Sequence, residues 1–435
     1  MAATGKLSER IARRPWYKWY ALSVLTLVYA SSQVDRQIMG MVLEPIKQDL
    51  GASDTAMGFL VGLTFALFYA TLGMPIAMFA DRSHRRNIVT AAITIWSAMT
   101  VACGYAANFL QLALARIGVG VGEAGSTPPS HSIISDLFPT QTRGTAMGIF
   151  ALGVNLGLLI AYLGGGWLVD NVGWRMTFVA VGVPGLAIAA LLYLTTIEPE
   201  RGASDARPPM PGEGAPPFRQ VWAHMWRVRS IRHSTIGAAL AGFIGYGFVL
   251  WMPTFLIRSH GLSPSEVGIA LALLTGVVGG LGTFTAGRLA DTLARRDERW
   301  RAWVVAAGKG GYVPFLAAVF LVDDLWWALG LYVIPAFFGG FYLAPTFALV
   351  QGLVSLRMRA LASSIVLFIL NIIGLGFGPQ LVGVMSDLFA DAYGQESLRM
   401  SLLVLSFLNL WCALHYYLAG RHLPRDQAAQ TAAAG

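Results

Sequence analysis

Apolar residues run along this chain in long blocks, and polar residues gather at the breaks between them. A helix needs ~20 apolar residues to cross a hydrocarbon layer. Blocks of that length fall at 17–41, 55–80, 87–107, 109–138, 144–169 and 174–197, and again at 231–257, 265–290, 302–322, 325–354, 360–387 and 397–420. The pattern predicts an all-α membrane protein with twelve transmembrane helices in two six-helix bundles, over 1–197 and 231–425. Residues 198–230 between them read as a linker. Its first part, Glu198 to Pro217, is rich in Pro, Gly, Ala and charge. Its second part spaces Phe218, Trp222 and Trp226 four apart, the pattern of a helix lying on a membrane surface. The Ala/Gln-rich stretch 426–435 is expected to be a disordered tail.

Composition excludes a soluble globular domain: of 435 residues 55% are hydrophobic and 12% charged, with a mean hydropathy of +0.59. Cys103 and Cys412 both sit in apolar blocks and offer neither a disulfide framework nor a metal site. Ala30-Ser31-Ser32 is a weak cleavage site with Asp35-Arg36 and more apolar residues beyond it, so the first span reads as retained. The net charge of +8 invites a nucleic-acid reading, but its distribution argues otherwise. Of the 31 lysines and arginines, 24 fall in one alternating set of connections and 4 in the other, which puts both termini and the central linker in the cytoplasm. No phosphate-binding glycine loop is present, so a proton gradient rather than ATP is the expected drive, with no cofactor and no nucleic-acid partner.

The two sixes are related. Gly51-x-Ser53, Gly58 and Asp81-x-x-x-Arg85-Arg86 recur 210 residues on as Gly261-x-Ser263, Gly268 and Asp291-x-x-x-Arg295-Arg296. Further along, Pro129, Arg143-x-x-Ala146 and Asn155 recur 216 residues on as Pro345, Arg359-x-x-Ala362 and Asn371. An ordered series with one small insertion marks a duplicated six-helix unit, and parallel repeats with a site between them describe a transporter that alternates access.

Four charges lie inside the first repeat: Asp35 and Arg36 in span one, Arg116 and Glu123 in span four. Seven residues is nearly two helical turns, so Arg116 and Glu123 share a face. A charge at the centre of a bilayer costs about 3 kcal/mol on insertion scales and marks function by default. The second repeat has Gly245, Tyr246, Tyr332 and Gly339 at the corresponding positions. One wall of the central cavity is therefore expected to be charged and the other apolar and aromatic, from Tyr246, Trp251, Tyr332, Phe337, Phe338, Phe341 and Tyr342. That asymmetry suits an amphiphile with a charged head and a greasy tail. Arginine keeps its proton, so Glu123 is the first expected proton carrier and Asp35 the second, with Arg36 and Arg116 as partner-switchers or anion clamps. The alternative is a static salt-bridge network fixing spans one and four. The glycines 118, 120, 122 and 125 read as close packing of span four. His131 is a packing histidine or a proton relay, and Lys309 is expected to snorkel toward the cytoplasm.

Asp81-Arg82-x-x-Arg85-Arg86, its copy from Gly287 to Arg296, and Gly173-Trp174-Arg175-x-x-Phe178 resemble the signatures of the major facilitator superfamily. Ala77 and His84 stand where the first copy often has glycine. Val34-Asp35-Arg36, Gly122-Glu123-Ala124, Pro128-Pro129-x-His131 through Asp136-Leu137-Phe138-Pro139, and Glu198-Pro199-x-Arg201-Gly202 resemble the spinster family in its bacterial form. The resemblance implies a monomeric, proton-driven exporter of lysophospholipid- or sphingolipid-type cargo in a bacterial inner membrane. It also implies a cytoplasmic gate. Asp81 would face the start of span eleven and Asp291 the start of span five, with Arg85, Arg86, Arg295 and Arg296 adding ion pairs. Plain topology-setting charge is the other reading of these residues. An exchanger of organic anions or phosphate esters using Arg36 and Arg116, or a multidrug efflux pump, would share most of these features. An enzyme would need a nucleophile–base pair or metal ligands in the spans. Only His131 between Ser130 and Ser132 hints at one, and neighbours on a helix do not face each other.

Overall fold

The computed structural model describes residues 14–80, 82–202 and 216–434, and among them every regular element is a helix. In chain order the first repeat holds α1 (Tyr17–Leu50), α2 (Asp54–Val61), α3 (Leu63–Ala80), α4 (Arg85–Gly104), α5 (Phe109–Glu123), α6 (Thr127–Leu137), α7 (Thr140–Leu159) and α8 (Gly165–Thr195). The linker holds α9 (Phe218–Arg227). The second repeat holds α10 (Arg229–His260), α11 (Pro264–Leu271), α12 (Gly279–Ala294), α13 (Trp300–Gly311), α14 (Val313–Val319), α15 (Leu325–Gly339), α16 (Leu343–Gly352), α17 (Arg359–Ile369), α18 (Gly378–Leu388) and α19 (Ser397–Ala434).

The sequence repeats turn out to be helix punctuation. Gly51 and Gly261 end α1 and α10 in the left-handed region, at φ 61° and 66°, where glycine carries no Cβ penalty. Two residues on, Ser53 accepts from the Ala56 amide, and Ser263 makes a capping box with Glu266. Each such cap stabilises its helix by about 1 kcal/mol. Asn108 and Asp324, 216 apart, cap α5 and α15. Those two helices are both 15 residues long and end at Glu123 and Gly339, again 216 apart. The fourth and tenth blocks are thus broken at equivalent points.

Among the described residues, nine helical stretches are long and apolar enough to cross a membrane. The block at 109–138 is not among them because its break leaves pieces of 15 and 11 residues. The block at 17–41 is helical throughout but is diluted by Ser31, Ser32, Gln33, Asp35 and Arg36. The blocks at 144–169 and 174–197 fall in one stretch, Gln141–Thr195, interrupted at Gly173 with φ 74°. α19 runs on to Ala434, through the stretch expected as a tail. Alanine favours helix, and Asp426 anchors the extension by accepting from the Ser230 amide and hydroxyl.

The chain divides into two compact units, Met1–Ala52 with Thr64–Gly212, and Ser53–Leu63 with Glu213–Gly435. The division does not follow the repeat boundary, because α2 packs on α18 and so belongs to the second unit. The seam is glycine: a Cβ on Gly58 would stand 2.7 Å from the Pro379 carbonyl oxygen, and one on Gly62 would collide with that of Gly376. Asp54 receives two hydrogen bonds of 2.7 Å from the Arg258 guanidinium and one of 2.6 Å from Ser386, while Asp387 accepts from the Asp54 and Thr55 amides. In the first unit α1 packs on α7 and α8, and α4 on α5 and α8. In the second, α10 packs on α18 and α19, and α13 on α19. The α9 helix buries Val221 and Met225, leaving Phe218 and Trp222 exposed in a ring series with Trp226.

Candidate functional site

Asp35 and Arg36 are neighbours on α1, so they point about 100° apart. This sends them to different helices. Arg36 donates from Nε to Glu123 Oε2 on α5 at 2.6 Å. Asp35 turns to α4, where it faces Trp96 and Thr100, one turn apart, with Arg116 and Glu123 as its charged neighbours. Asp35, Arg116 and Glu123 are each no more than 2% exposed. The four charges predicted from sequence are therefore brought together in the first unit.

They are not fully satisfied. Oε1 of Glu123, and Nε and Nη1 of Arg116, have no protein hydrogen-bond partner among the described residues, and the Asp35 carboxylate makes no bond of good geometry although Trp96 and Thr100 stand close to it. The Trp96 indole and the Ser97 and Thr100 hydroxyls beside them are in the same condition. A static network would be expected to close these contacts, since an unmade buried hydrogen bond costs about 1–3 kcal/mol. Spare donors and acceptors in one place are what partner exchange needs.

Two aromatic residues complete the site, and sequence reasoning missed them. The Arg36 guanidinium lies 5.1 Å from the Phe65 ring centroid and 4.4 Å from that of Tyr69, and the Arg116 guanidinium lies 5.5 Å from Phe65. Phe65 thus touches both cations, through attraction of each to its π face. Its signal was present as an i, i+4 aromatic pair on α3 but was indistinguishable from packing. Phe65→Leu is expected to slow transport by more than its packing loss of about 1 kcal/mol explains, because the arginines lose their common platform while the pocket stays apolar. Flux and melting measured on the same preparation check this.

The glycines of α5 serve close approach. A Cβ on Gly120 would stand 2.8 Å from the Phe65 carbonyl oxygen, and one on Gly122 2.6 Å from the Trp96 amide nitrogen. Both obstacles are backbone, so Gly122→Ala should push α5 away from α4 and lower stability by about 1–3 kcal/mol, read as a drop in melting temperature.

Several expected residues sit elsewhere. Asp81 lies outside the described residues. Arg85, expected at the gate, is braced inside the first unit in this structure. It is 1% exposed and binds Asp136, Glu198 at 2.7 Å, Ser132 at 2.8 Å and the Pro199 carbonyl at 2.9 Å. The Arg86 amide donates to Glu198 at 2.7 Å and its guanidinium to the Thr196 carbonyl at 3.0 Å. Arg201 closes the latch on the Ala80 and Ser83 carbonyls. These are the motif residues 136 and 198–202, tying the end of α8 to the corner before α4. Asp291, Arg295 and Arg296 are exposed. His131 is exposed and sits edge-on to Phe150 at 5.2 Å. Of the expected aromatic wall, Trp251 is a fully buried anchor, donating to the Pro379 carbonyl at 2.9 Å. Tyr332 and Phe341 are buried, and Tyr246 and Phe338 are half-buried. Lys309 does not snorkel: it is 2% exposed. The first unit also carries an apolar groove beside α1, lined by Leu27, Val34, Ile38, Leu156, Ile160 and Ile188.

Arg175, in the Gly173-Trp174-Arg175 motif, stacks on Trp174 at 4.1 Å and pairs with Asp49 at 2.5 Å, joining α8 to the end of α1.

The comparisons agree with this architecture. The family model for the Major Facilitator Superfamily matches residues 25–379. An "MFS-type efflux pump" of Mycolicibacterium smegmatis is 36% identical over 413 residues, covering 95% of both chains. Human "Protein spinster homolog 1" is 29% identical over 397 residues, covering 84% of this chain and 73% of that one. The crystal structure of a bacterial homolog to the human lysosomal transporter Spinster, in an inward-facing and unoccupied conformation, superposes with a TM-score of 0.88 at 34% identity, over 95% of this chain and 99% of that one. A D-xylose–proton symporter, at 16% identity and a TM-score of 0.67, shares the fold. With apolar helices built for a bilayer and a duplicated unit, the chain belongs to the Major Facilitator Superfamily, as a multi-pass membrane transporter of spinster type that works by alternating access.

Proposed function

We propose that this transporter couples cargo movement to protons through Glu123 and Asp35, and that its cargo is an amphiphile of lysophospholipid or sphingolipid type. The observation that carries this reading is the Arg36–Glu123 pair buried beside the Asp35 carboxylate and the unpartnered donors of Arg116. A proton on Glu123 removes the charge that holds Arg36. The guanidinium then turns to Asp35 or to an anionic headgroup, and the spare donors of Arg116 receive whichever acid or headgroup remains. Deprotonation restores the pair and returns the headgroup. The two aromatic platforms let Arg36 move without entering bare hydrocarbon. The apolar groove beside α1, one turn from Asp35, supports a greasy tail on the cargo.

On this reading the chain crosses a bacterial inner membrane twelve times with both termini inside, and acts as a monomer. The spans at 17–41 and 109–138 then cross despite their charges, because those charges pair with one another. The M. smegmatis relative favours a second reading, efflux of drug-like molecules. Cations would then seek Asp35 and Glu123. Flux into proteoliposomes decides between them: lysophosphatidylglycerol should move under a pH gradient, whereas an efflux pump of cationic drugs would move ethidium and ignore the lysolipid.

A further inference from the structure

Lys309 is a buried charge that the coupling set leaves unused. Its Nζ donates to the Gly339 carbonyl at 3.1 Å and to the Tyr312 hydroxyl at 3.3 Å, and Tyr312 donates onward to Asn409 Oδ1 at 2.7 Å. The rings of Tyr312 and Tyr342 lie 5.4 and 5.3 Å from Nζ. Every one of these partners is neutral, and no carboxylate faces the ammonium among the described residues. An ammonium has three N–H donors, so two are used and one is spare. A buried cation with no counter-charge is expensive, and such groups inside a membrane mark substrate paths.

Its position in the repeat gives the charge a meaning. Gly339 is the counterpart of Glu123, and α5 and α15 break at these two points. Broken helices are where transporters of this architecture place their binding groups. The first repeat puts a carboxylate at its break. The second puts a bare carbonyl there and turns a lysine toward it. Beside the lysine, Phe337, Phe338 and Phe341 form a ring cluster with centroids 4.8–5.5 Å apart. Phe338 closes over Gly308, the residue before Lys309, where a Cβ would stand 3.1 Å from its ring. A cation thus adjoins an aromatic apolar face. Tyr342, which covers the cation on one side, is only half-buried and sits in the turn between α15 and α16.

We propose that Lys309 is a cargo-binding residue of the second unit, whose ammonium receives the anionic group, phosphate or carboxylate, of an amphiphile when Tyr342 swings aside, with the phenylalanine cluster holding the adjoining chain. The proposal rests on the transporter reading but not on proton coupling, so it is tested by equilibrium binding at one pH without a gradient.

Full-length protein in lipid nanodiscs is titrated with lysophosphatidylglycerol, oleate and uncharged mono-oleoylglycerol. Lys309→Met, which keeps the side-chain volume and removes the charge, should weaken lysophosphatidylglycerol at least about tenfold, the loss of one charge-assisted contact. It should leave mono-oleoylglycerol unchanged, and Lys309→Arg should keep most of the anionic preference. A parallel loss for oleate assigns a general anion site, and retention of oleate assigns a phosphate site. Equal weakening of anionic and uncharged ligands, or none, overturns the proposal in favour of a structural lysine. Should Lys309→Met fail to fold, Lys309→Gln, which keeps a donor for Gly339, carries the same comparison. A negative result here leaves the coupling role of Glu123 standing, and loss of coupling in Glu123→Gln leaves this binding result standing.

Discussion

Glu123→Gln is expected to reduce pH-gradient-driven flux to the level of empty liposomes while exchange of cargo down its own gradient persists. Glutamine keeps the shape and an acceptor for Arg36 Nε, which now bonds Glu123 Oε2 at 2.6 Å, but it cannot carry a proton. The substitution therefore separates the structural role of the contact from its titration. Breaking a buried ion pair outright costs about 3–5 kcal/mol, and the retained hydrogen bond offsets part of that. Alanine at 123 would leave Arg36 unpaired and lose both roles. Counterflow and gradient-driven uptake, measured on the same proteoliposomes, make the test. Gradient-driven uptake at the wild-type rate in Glu123→Gln would remove Glu123 from the coupling path.

The largest loss of stability is expected from Arg85→Ala. That side chain fills the centre of the latch between α4, α6 and the end of α8, holding Asp136 and Glu198 with additional bonds to Ser132 and Pro199. Its removal strands two part-buried carboxylates at once. The expected cost is about 3–5 kcal/mol, or roughly 10 °C in melting temperature for a unit of this size. Arg85→Lys should recover only part of this, because an ammonium cannot serve several acceptors in the fork geometry of guanidinium. The same change at exposed Arg295 should fall within about 0.5 kcal/mol. Equal, small effects at Arg85 and Arg295 would show that the first is surface charge after all.

The contrast between these two arginines shows what a sequence can carry. The duplicated motif was legible and so was its length, because repeats and apolar blocks are one-dimensional. The punctuation they encode, Gly51 and Gly261 as left-handed caps and Ser53 and Ser263 as starts, follows from local chemistry alone. The four charges were legible because charge in an apolar block is rare. What was hidden depends on contacts between distant residues. Arg85 meets Glu198 across 113 positions, and no local pattern tells that partner from one in the other repeat. Phe65 is one phenylalanine among 23, and only its place between Arg36 and Arg116 distinguishes it. Lys309 looked able to reach the cytoplasm, but the carbonyl freed by the break at Gly339 and the Tyr312 hydroxyl hold it inside. The break of the fourth and tenth blocks at 123 and 339 needed the helices.

The central claim is that protons and cargo move through one set of carboxylates in the first repeat. It is tested most directly by loading proteoliposomes with a pH-sensitive dye and imposing a lysophosphatidylglycerol gradient with no initial pH difference. The account predicts a change of internal pH that accompanies cargo movement in the wild type and is absent in Glu123→Gln, whose cargo still moves. Cargo movement in the wild type with no change of internal pH would contradict it.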